Sequence, residues 1–505
     1  MRLFQCIVAL SLTAFGNLFG QTSEERLKTY FSALHENQGF NGNVLVAENG
    51  KIVFEQSYGY ADFATKNKNY SAIQFPIASI SKTIVASAVL KLVELGKIKV
   101  ADPVTNHLPK FPYPEITIRH LLSHTSGLPP YNAYFDSLWK ANPNKVFTNA
   151  DFLPGVVSNR KALLYQPGER GNYDNINYIV LALLIEKVAS VSFPEFVNKY
   201  ILIPAGMNHT SFFPLKAQYE QNQNHQFAFP HLFPHMYSDS LVKANTVPYI
   251  RSYWGAYNFN GFGDFISTTH DLLKFSEEYA NGGLLNNAIM NEAFTPVKLN
   301  NGNNNPGNFG FGWEIDKDSL FGKVVYHSGA ATGFSAVLLR NLPRKQTIIL
   351  FDNTHSNASQ VAKNALKVLN GIRVDPKKSL AKMYAKTLLS NGPIGARTTL
   401  FELKNDTTNY YISEDEMNLI GYDFLGGVNN PNPFRFPEEH LYKEAVETFK
   451  LNAELFPNSW NVFDSYGEAL VVIGEKAKAI EMYKKSILLN PNNEAGKKIL
   501  AELLK

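Results

Sequence analysis

Phe75-Pro76-Ile77-Ala78-Ser79-Ile80-Ser81-Lys82-Thr83 is the stretch on which the reading of this 505-residue chain turns. Ser79 and Lys82 are three apart, so at the start of a helix both side chains leave one face, a turn apart. A serine hydroxyl is a weak nucleophile at neutral pH until a neighbouring base takes its proton. A lysine one turn on supplies that base or holds another base ionised. The helix N-terminus adds unpaired N–H groups and partial positive charge, suited to charge developing on a substrate oxygen. The spacing alone is common: it recurs at Ser137/Lys140, Ser158/Lys161, Ser240/Lys243 and Ser379/Lys382. What singles out Ser79 is the stripe that follows it, Ile84, Val85, Ala88, Val89, Leu92 and Val93. That i, i+1, i+4, i+5 pattern predicts a buried helix ending near Gly96. The competing reading is a core helix with a capping serine and a solvated lysine.

Working outward, Glu24 to Glu36 predicts a first helix, and Asn43–Ala47, Asn49-Gly50 and Lys51–Glu55 predict a hairpin turned by Asn-Gly. Near the other end, Gly310–Ile315, Val324–His327, Phe334–Arg340 and Gln346–Phe351 read as strands. A hairpin before the helices and strands after them point to one antiparallel sheet built from both ends of a domain. Between them, Tyr173 and Asn175 lie two apart on a turn before the apolar helix Ile179 to Val188, able to face one cleft; Tyr-x-Asn also recurs at Tyr279/Asn281. His120 and His124 have i, i+4 spacing without the glutamate of a zinc-protease pattern, which favours structural histidines over a metal site. Residues 214 to about 250 are irregular and rich in Phe, Pro and His (His225, His231, His235), a surface insertion or else a cleft wall or lid.

The net charge of +4 is small for this length and no basic block stands out, so nothing points to nucleic acid or an anionic membrane. Arg2 followed by the short apolar run Cys6–Leu12 predicts a secretory signal peptide over residues 1–20 and a secreted or periplasmic protein. The only cysteine, Cys6, lies inside that segment, leaving the mature chain without disulfides or thiolate sites. No other stretch is long and apolar enough for a membrane span in the mature chain.

With these residues in view, the region from about Leu27 to Asn370 resembles the serine β-lactamase-like family. This family includes class C β-lactamases, D-alanyl-D-alanine carboxypeptidases, D-aminopeptidases and esterases. Ser79-Ile80-Ser81-Lys82, Tyr173-Asp174-Asn175 and His327-Ser328-Gly329 match its three motifs in order. His124-Thr125-Ser126-Gly127-Leu128, Pro167-Gly168 and Gly310-Phe311-Gly312-Trp313 match around them. The resemblance implies an α/β (α+β) fold, an antiparallel sheet flanked by helices plus a helical lobe, with the site between them. It implies that Ser79 is acylated. Lys82 keeps the site positive and lowers the phenol pKa of Tyr173, which then serves as general base and acid. It further implies that Asn175 holds a substrate amide, that the N–H groups of Ser79 and Ala330 form the oxyanion hole, and that Gly329 lets substrate approach the strand. No cofactor or metal is implied; the partner is a small-molecule or peptide substrate. His327 departs from the lysine of many penicillin-recognising members and matches the esterase and peptidase side, which points away from efficient β-lactam hydrolysis. A histidine there is mostly neutral at pH 7 and gains charge below about 6.5.

From Asp375 the composition changes, with Pro376-Lys377-Lys378 reading as a linker. Phe463, Gly467, Ala479, Tyr483 and Pro491 fall on tetratricopeptide-repeat spacing, and Gly421, Ala445, Phe449 and Pro457 form an earlier, degenerate unit interrupted by Gly426 to Pro437. The expected organisation is therefore a signal peptide (1–20), a hydrolase domain (21–372) and an all-α helical-repeat domain (376–505). The repeats serve as a structural cap or as a groove for a protein partner. The functional expectation is a serine hydrolase cleaving an ester, amide or D-amino-acid peptide bond. The alternatives are a catalytically silent scaffold and an unrelated repeat adaptor.

Overall fold

The computed structural model describes residues 21–214, 217–218, 226–246, 257–318, 320–354, 357–426 and 440–505. The expected signal peptide with Cys6, His225 and nearly all of the Gly426 to Pro437 loop lie outside them. The chain divides into two compact units: residues up to 35, 40–231 and 243–374, and residues 36–39, 232–242 and 375–505.

The elements that build the first unit are α1 (Ser23–Gln38), β1 (Gly42–Glu48), β2 (Lys51–Tyr58), α2 (Ser81–Glu94), α3 (Ile118–Leu122), α4 (Ile176–Ala189), β3 (Phe265–Ser267), α5 (Thr269–Ala280), β4 (Glu314–Asp318), β5 (Gly322–Ala331), β6 (Phe334–Asn341), β7 (Gln346–Asp352) and α6 (Ala358–Leu369). Six strands form one sheet in the order β4-β5-β6-β7-β1-β2, antiparallel throughout. The hairpin β1–β2 turns at Asn49 (φ 51°) and Gly50 (φ 74°), the two successive positive φ angles that an Asn-Gly turn provides. The first and last strands of the domain meet through β1 and β7, with Val46 opposite Ile348 and Val44 opposite Leu350.

Both faces of the sheet are covered, so its central strands are apolar on both sides. Val44, Val46, Val337, Leu339, Ile348 and Leu350 pack with Leu27, Phe31 and Leu34 of α1 and Ala362, Ala365 and Leu366 of α6. Leu45, Ala47, Ala336, Leu338, Ile349 and Phe351 face the opposite way, into the larger core that holds α2 and α4. There α2 is buried on every side from Ser81 to Leu90, not only along its apolar stripe. It stops as its stripe predicts: Gly96 takes φ 68°, and the Gly96 and Lys97 N–H groups cap the Val93 and Leu92 carbonyls.

In the second unit, α7 (Leu380–Leu403), α8 (Glu414–Phe424), α9 (Tyr442–Leu455), α10 (Trp460–Val472), α11 (Lys476–Leu489) and α12 (Glu494–Leu503) follow in order. Two helix pairs use the same device. A Cβ on Gly421 of α8 would lie 2.6 Å from the Phe449 ring of α9, and one on Gly467 of α10 would lie 3.0 Å from the Tyr483 ring of α11. A glycine seats an aromatic ring in each pair, and Ala445 and Ala479 are buried beside them. Within the irregular stretch from 214 to about 250, the segment Leu232–Val242 belongs to this second unit, where Tyr237 is buried in the helical core and its ring lies 5.0 Å from that of Phe424.

Candidate active site

Ser79 sits in a tight turn, Ala78–Ile80, that runs directly into α2. Ala78 holds φ 45°, a conformation costly for a residue with a side chain. Strand β5 lies against this turn, and Gly329 is what allows it: a Cβ there would lie 2.2 Å from the Ile77 carbonyl oxygen. Gly329 therefore admits the nucleophile turn itself to the strand.

Lys82 is not the solvated lysine of the competing reading; it is 0% exposed. Its Nζ donates to Ser79 Oγ at 2.9 Å and to the Phe262 carbonyl at 3.0 Å. It also lies 5.0 Å from the centre of the Tyr173 ring. Burial pulls its pKa from 10.5 down to about 7, against the opposing charges of Asp264 and Asp174. Tyr173 keeps 39% of its surface open, yet its hydroxyl end is sunk beside Ser79, with which it hydrogen-bonds. Burial raises its pKa above the usual phenol range, and the charges of Glu314 and Asp174 raise it further. The expectation that Lys82 lowers the phenol pKa is thus corrected: desolvation of the phenolate outweighs the nearby cation, which is itself losing its proton near neutrality.

His124, read from the sequence as a structural histidine, is the support for Tyr173. It is buried with φ 57°. Its Nδ1 accepts from the Asp174 N–H and contacts Asn177 Nδ2, each at 3.3 Å. Its ring lies 4.3 Å from that of Tyr173. Burial and the Lys82 charge hold it neutral, well below its ordinary pKa. Asn175 stands at the N-cap position of α4 without making a side-chain cap, and its Oδ1 is buried without a hydrogen-bond partner among the described residues.

His327 is 1% exposed on β5, opposite Leu338. Its Nδ1 lies 2.6 Å from the Ser328 carbonyl, so Nδ1 carries the proton and donates it there. Nε2 is left as a buried acceptor with no partner among the described residues. Burial, then the Lys82 charge, push its pKa to about 3. The expected gain of charge below about pH 6.5 is corrected accordingly. Ala330, the second expected oxyanion donor, is exposed near the end of β5, opposite Ser335. No group of His, Cys, Asp and Glu able to hold a metal ion occurs among the described residues. His231 is buried and spends its Nδ1 on the Phe229 carbonyl at 2.8 Å. Two partners of Lys82, the Phe262 carbonyl and Asp264, were missed in the sequence. The only signal for them is the run Gly261-Phe262-Gly263-Asp264, a turn composition with a carboxylate at its end.

An antiparallel sheet with a serine–lysine pair at a helix start, a tyrosine on the facing loop and a His-Ser-Gly strand defines the class of serine acyl-transfer folds. The comparisons agree. The family model for beta-lactamases matches residues 27–371. A penicillin-binding protein of Bacillus subtilis (strain 168) is 33% identical over 336 residues, covering 66% of this chain and 72% of its own. The crystal structure of a penicillin-binding protein from Bacillus halodurans superposes with a TM-score of 0.56 at 25% identity, covering 67% of this chain and 99% of that one. An octameric penicillin-binding protein homologue from Pyrococcus abyssi gives 0.56 at 25% identity, covering 71% and 79%. The chain belongs to the beta-lactamase family of serine hydrolases.

Proposed function

We propose that this protein is an active serine hydrolase that cleaves a neutral ester or amide through an acyl-enzyme on Ser79. The observation that carries the reading is the buried Lys82 amine, 2.9 Å from Ser79 Oγ and poised near neutral pH. A neutral amine there takes the serine proton as Oγ attacks the acyl carbon. The N–H groups of Ser79 and Ala330 receive the developing oxyanion. Tyr173 stays protonated and so acts as acid, giving its proton to the leaving oxygen or nitrogen as the old acyl bond breaks. Lys82 returns a proton to the Tyr173 oxygen, which closes the count, and water repeats the sequence to free the acid. This differs from a tyrosinate base by exchanging the roles of the two residues.

His327 supports the substrate class. Where a lysine would present a cation to a carboxylate, this chain presents an unpartnered acceptor, Nε2. An acceptor suits a substrate N–H or hydroxyl and repels a carboxylate, while charge-assisted bonds are roughly twice as strong as neutral ones. The Bacillus subtilis relative is named for binding penicillin, a carboxylate-bearing amide; this chain is proposed to handle such compounds poorly. The apolar run after Arg2 supports secretion or a periplasmic location. The test is a fluorophosphonate label with intact-mass readout in wild type and Ser79→Ala, followed by a panel of neutral esters, amides, D-amino-acid peptides and a cephalosporin. One adduct, absent from Ser79→Ala, supports the reading; no adduct, or one surviving that substitution, overturns it.

A further inference from the structure

Asp264 lies outside every matched motif and is 0% exposed. A buried carboxylate is expensive unless hydrogen bonds or charge hold it. Here the Gly261 N–H donates to its two oxygens at 2.9 and 3.0 Å, and the Gly263 N–H donates at 3.0 Å. The three-residue turn is thereby wrapped around the carboxylate, and its middle residue, Phe262, turns its carbonyl outward onto Lys82 Nζ at 3.0 Å. The turn is clamped from outside as well. Gly261 (φ +110°) packs so closely on α4 that a Cβ would lie 2.3 Å from the Tyr178 carbonyl oxygen. The Phe265 N–H donates to Ser81 Oγ at 3.3 Å, and the Ile77 N–H donates to the Phe265 carbonyl at 3.1 Å. The segment that carries Asp264 is therefore stitched to both sides of Ser79.

The consequence is directional. A neutral lysine amine has two N–H bonds and one lone pair. With an N–H spent on the Phe262 carbonyl, the lone pair is free to meet the Ser79 hydroxyl. The groups that act on Lys82 through charge or ring contact are the carboxylates of Asp264 and Asp174, the imidazoles of His124 and His327, and the rings of Tyr173, Tyr178 and Phe262. Both imidazoles are held neutral and both phenols protonated. The carboxylates are what remains to balance the ammonium; burial raises both, Asp264 to about 6 against the Gly261 and Gly263 N–H groups and the Lys82 charge, so Asp264 is ionised at pH 7 and is the larger influence of the two on Lys82.

We infer that Asp264 is a positioning residue for acyl transfer: it aims the Phe262 carbonyl at Lys82 and supplies the buried negative charge against which Lys82 exchanges its proton. This rests on the reading of Ser79 and Lys82 given above. The test is the pH profile of kcat/KM for a neutral ester, in wild type, Asp264→Asn, Asp264→Glu and Ser81→Ala, with active sites counted by phosphonate adduct. The position of a pH limb does not depend on the folded fraction. Removing the charge lowers the lysine pKa, so in Asp264→Asn the limb should move to acid by about one pH unit or more, with KM within about twofold because the carboxylate touches no substrate. Asp264→Glu keeps the charge and displaces the oxygens, so kcat should fall about tenfold with the limb unmoved. Ser81→Ala loosens the same segment without removing charge and should leave the limb in place. An unmoved limb in Asp264→Asn, or an equal shift in Ser81→Ala, overturns the charge; wild-type kcat in Asp264→Glu overturns the aim. Should Asp264→Asn yield no folded protein, Asp264→Glu carries the test. Failure of wild-type labelling at Ser79 would instead overturn the underlying reading, whatever the Asp264 variants do.

Discussion

The start of α2 and the end of β5 each bury a basic side chain, and burial acts on both in the same direction. Lys82 falls from 10.5 to about 7, and His327 from 6.5 to about 3. The outcomes are opposite. The lysine lands where it exchanges a proton at physiological pH, with two carboxylates pulling against its desolvation. The histidine, which faces the Lys82 charge and whose pKa burial and that charge hold well below neutrality, is a neutral acceptor at pH 7. Equal burial thus leaves one basic group near neutrality and the other far below it, because the two groups began at different pKa values.

The sharpest break of that contrast lies on the helix wall. Ser79→Ala should lose the phosphonate adduct and lower kcat by more than about 10⁴-fold; measurable turnover above that level would put the nucleophile elsewhere. Next, Lys82→Met and Lys82→Arg should each lower kcat/KM by about 10²–10⁴, although arginine keeps the charge, because a guanidinium cannot accept the serine proton. If neutral Lys82 is the working form, the wild-type rate should fall as pH drops through about 7. A flat profile from pH 5 to 8 would contradict the assignment.

Tyr173→Phe sharpens the division of labour. If the phenol is the acid, the loss should reach about 10² on an amide and stay small on an activated ester that needs no proton. Equal losses on both would return the tyrosine to the role of base. On the strand wall, His327→Lys should raise kcat/KM for a cephalosporin relative to a neutral ester by about tenfold. In the wild type, KM for a carboxylate substrate should stay level from pH 8 to 5, since His327 does not charge there; a KM that falls with pH would show that the imidazole is more open than its burial indicates. The smallest chemical effect is expected from ending the chain at Val374. Every motif residue remains, so kcat should hold, while Tyr237 loses the helical core in which it is buried and the protein should become less soluble. Lost catalysis in a soluble truncation would tie the second unit to the site.

Much of this was legible in local sequence. The Asn49-Gly50 turn, the end of α2 at Gly96 and the glycine–aromatic pairs of the helical unit are decided by residues a few positions or one hairpin apart. Ser79, Lys82, Tyr173 and His327 were visible for a related reason: nucleophiles, bases and their spacings are chemical statements carried by residue type. The charge state of each was not. The partner that orients Lys82 is a backbone carbonyl 180 residues away, and a carbonyl leaves no mark in the sequence. Asp264 drew no reading at all, because nothing local says that its side chain folds back on Gly261 and Gly263 inside a core. The packing role of Gly329 was hidden for the same reason, since only the packed strand shows that Ile77 occupies its missing side chain's space.

By itself, then, the sequence determined the six-stranded antiparallel architecture, the nucleophile turn and the family, since apolar periodicity, turn chemistry and motif order are local properties that survive any rearrangement of distant parts. Tertiary structure alone decided which residue holds a proton at neutral pH, since a pKa is set by the water removed and the charges brought near. Both are consequences of which distant segments the fold packs around Lys82 and His327.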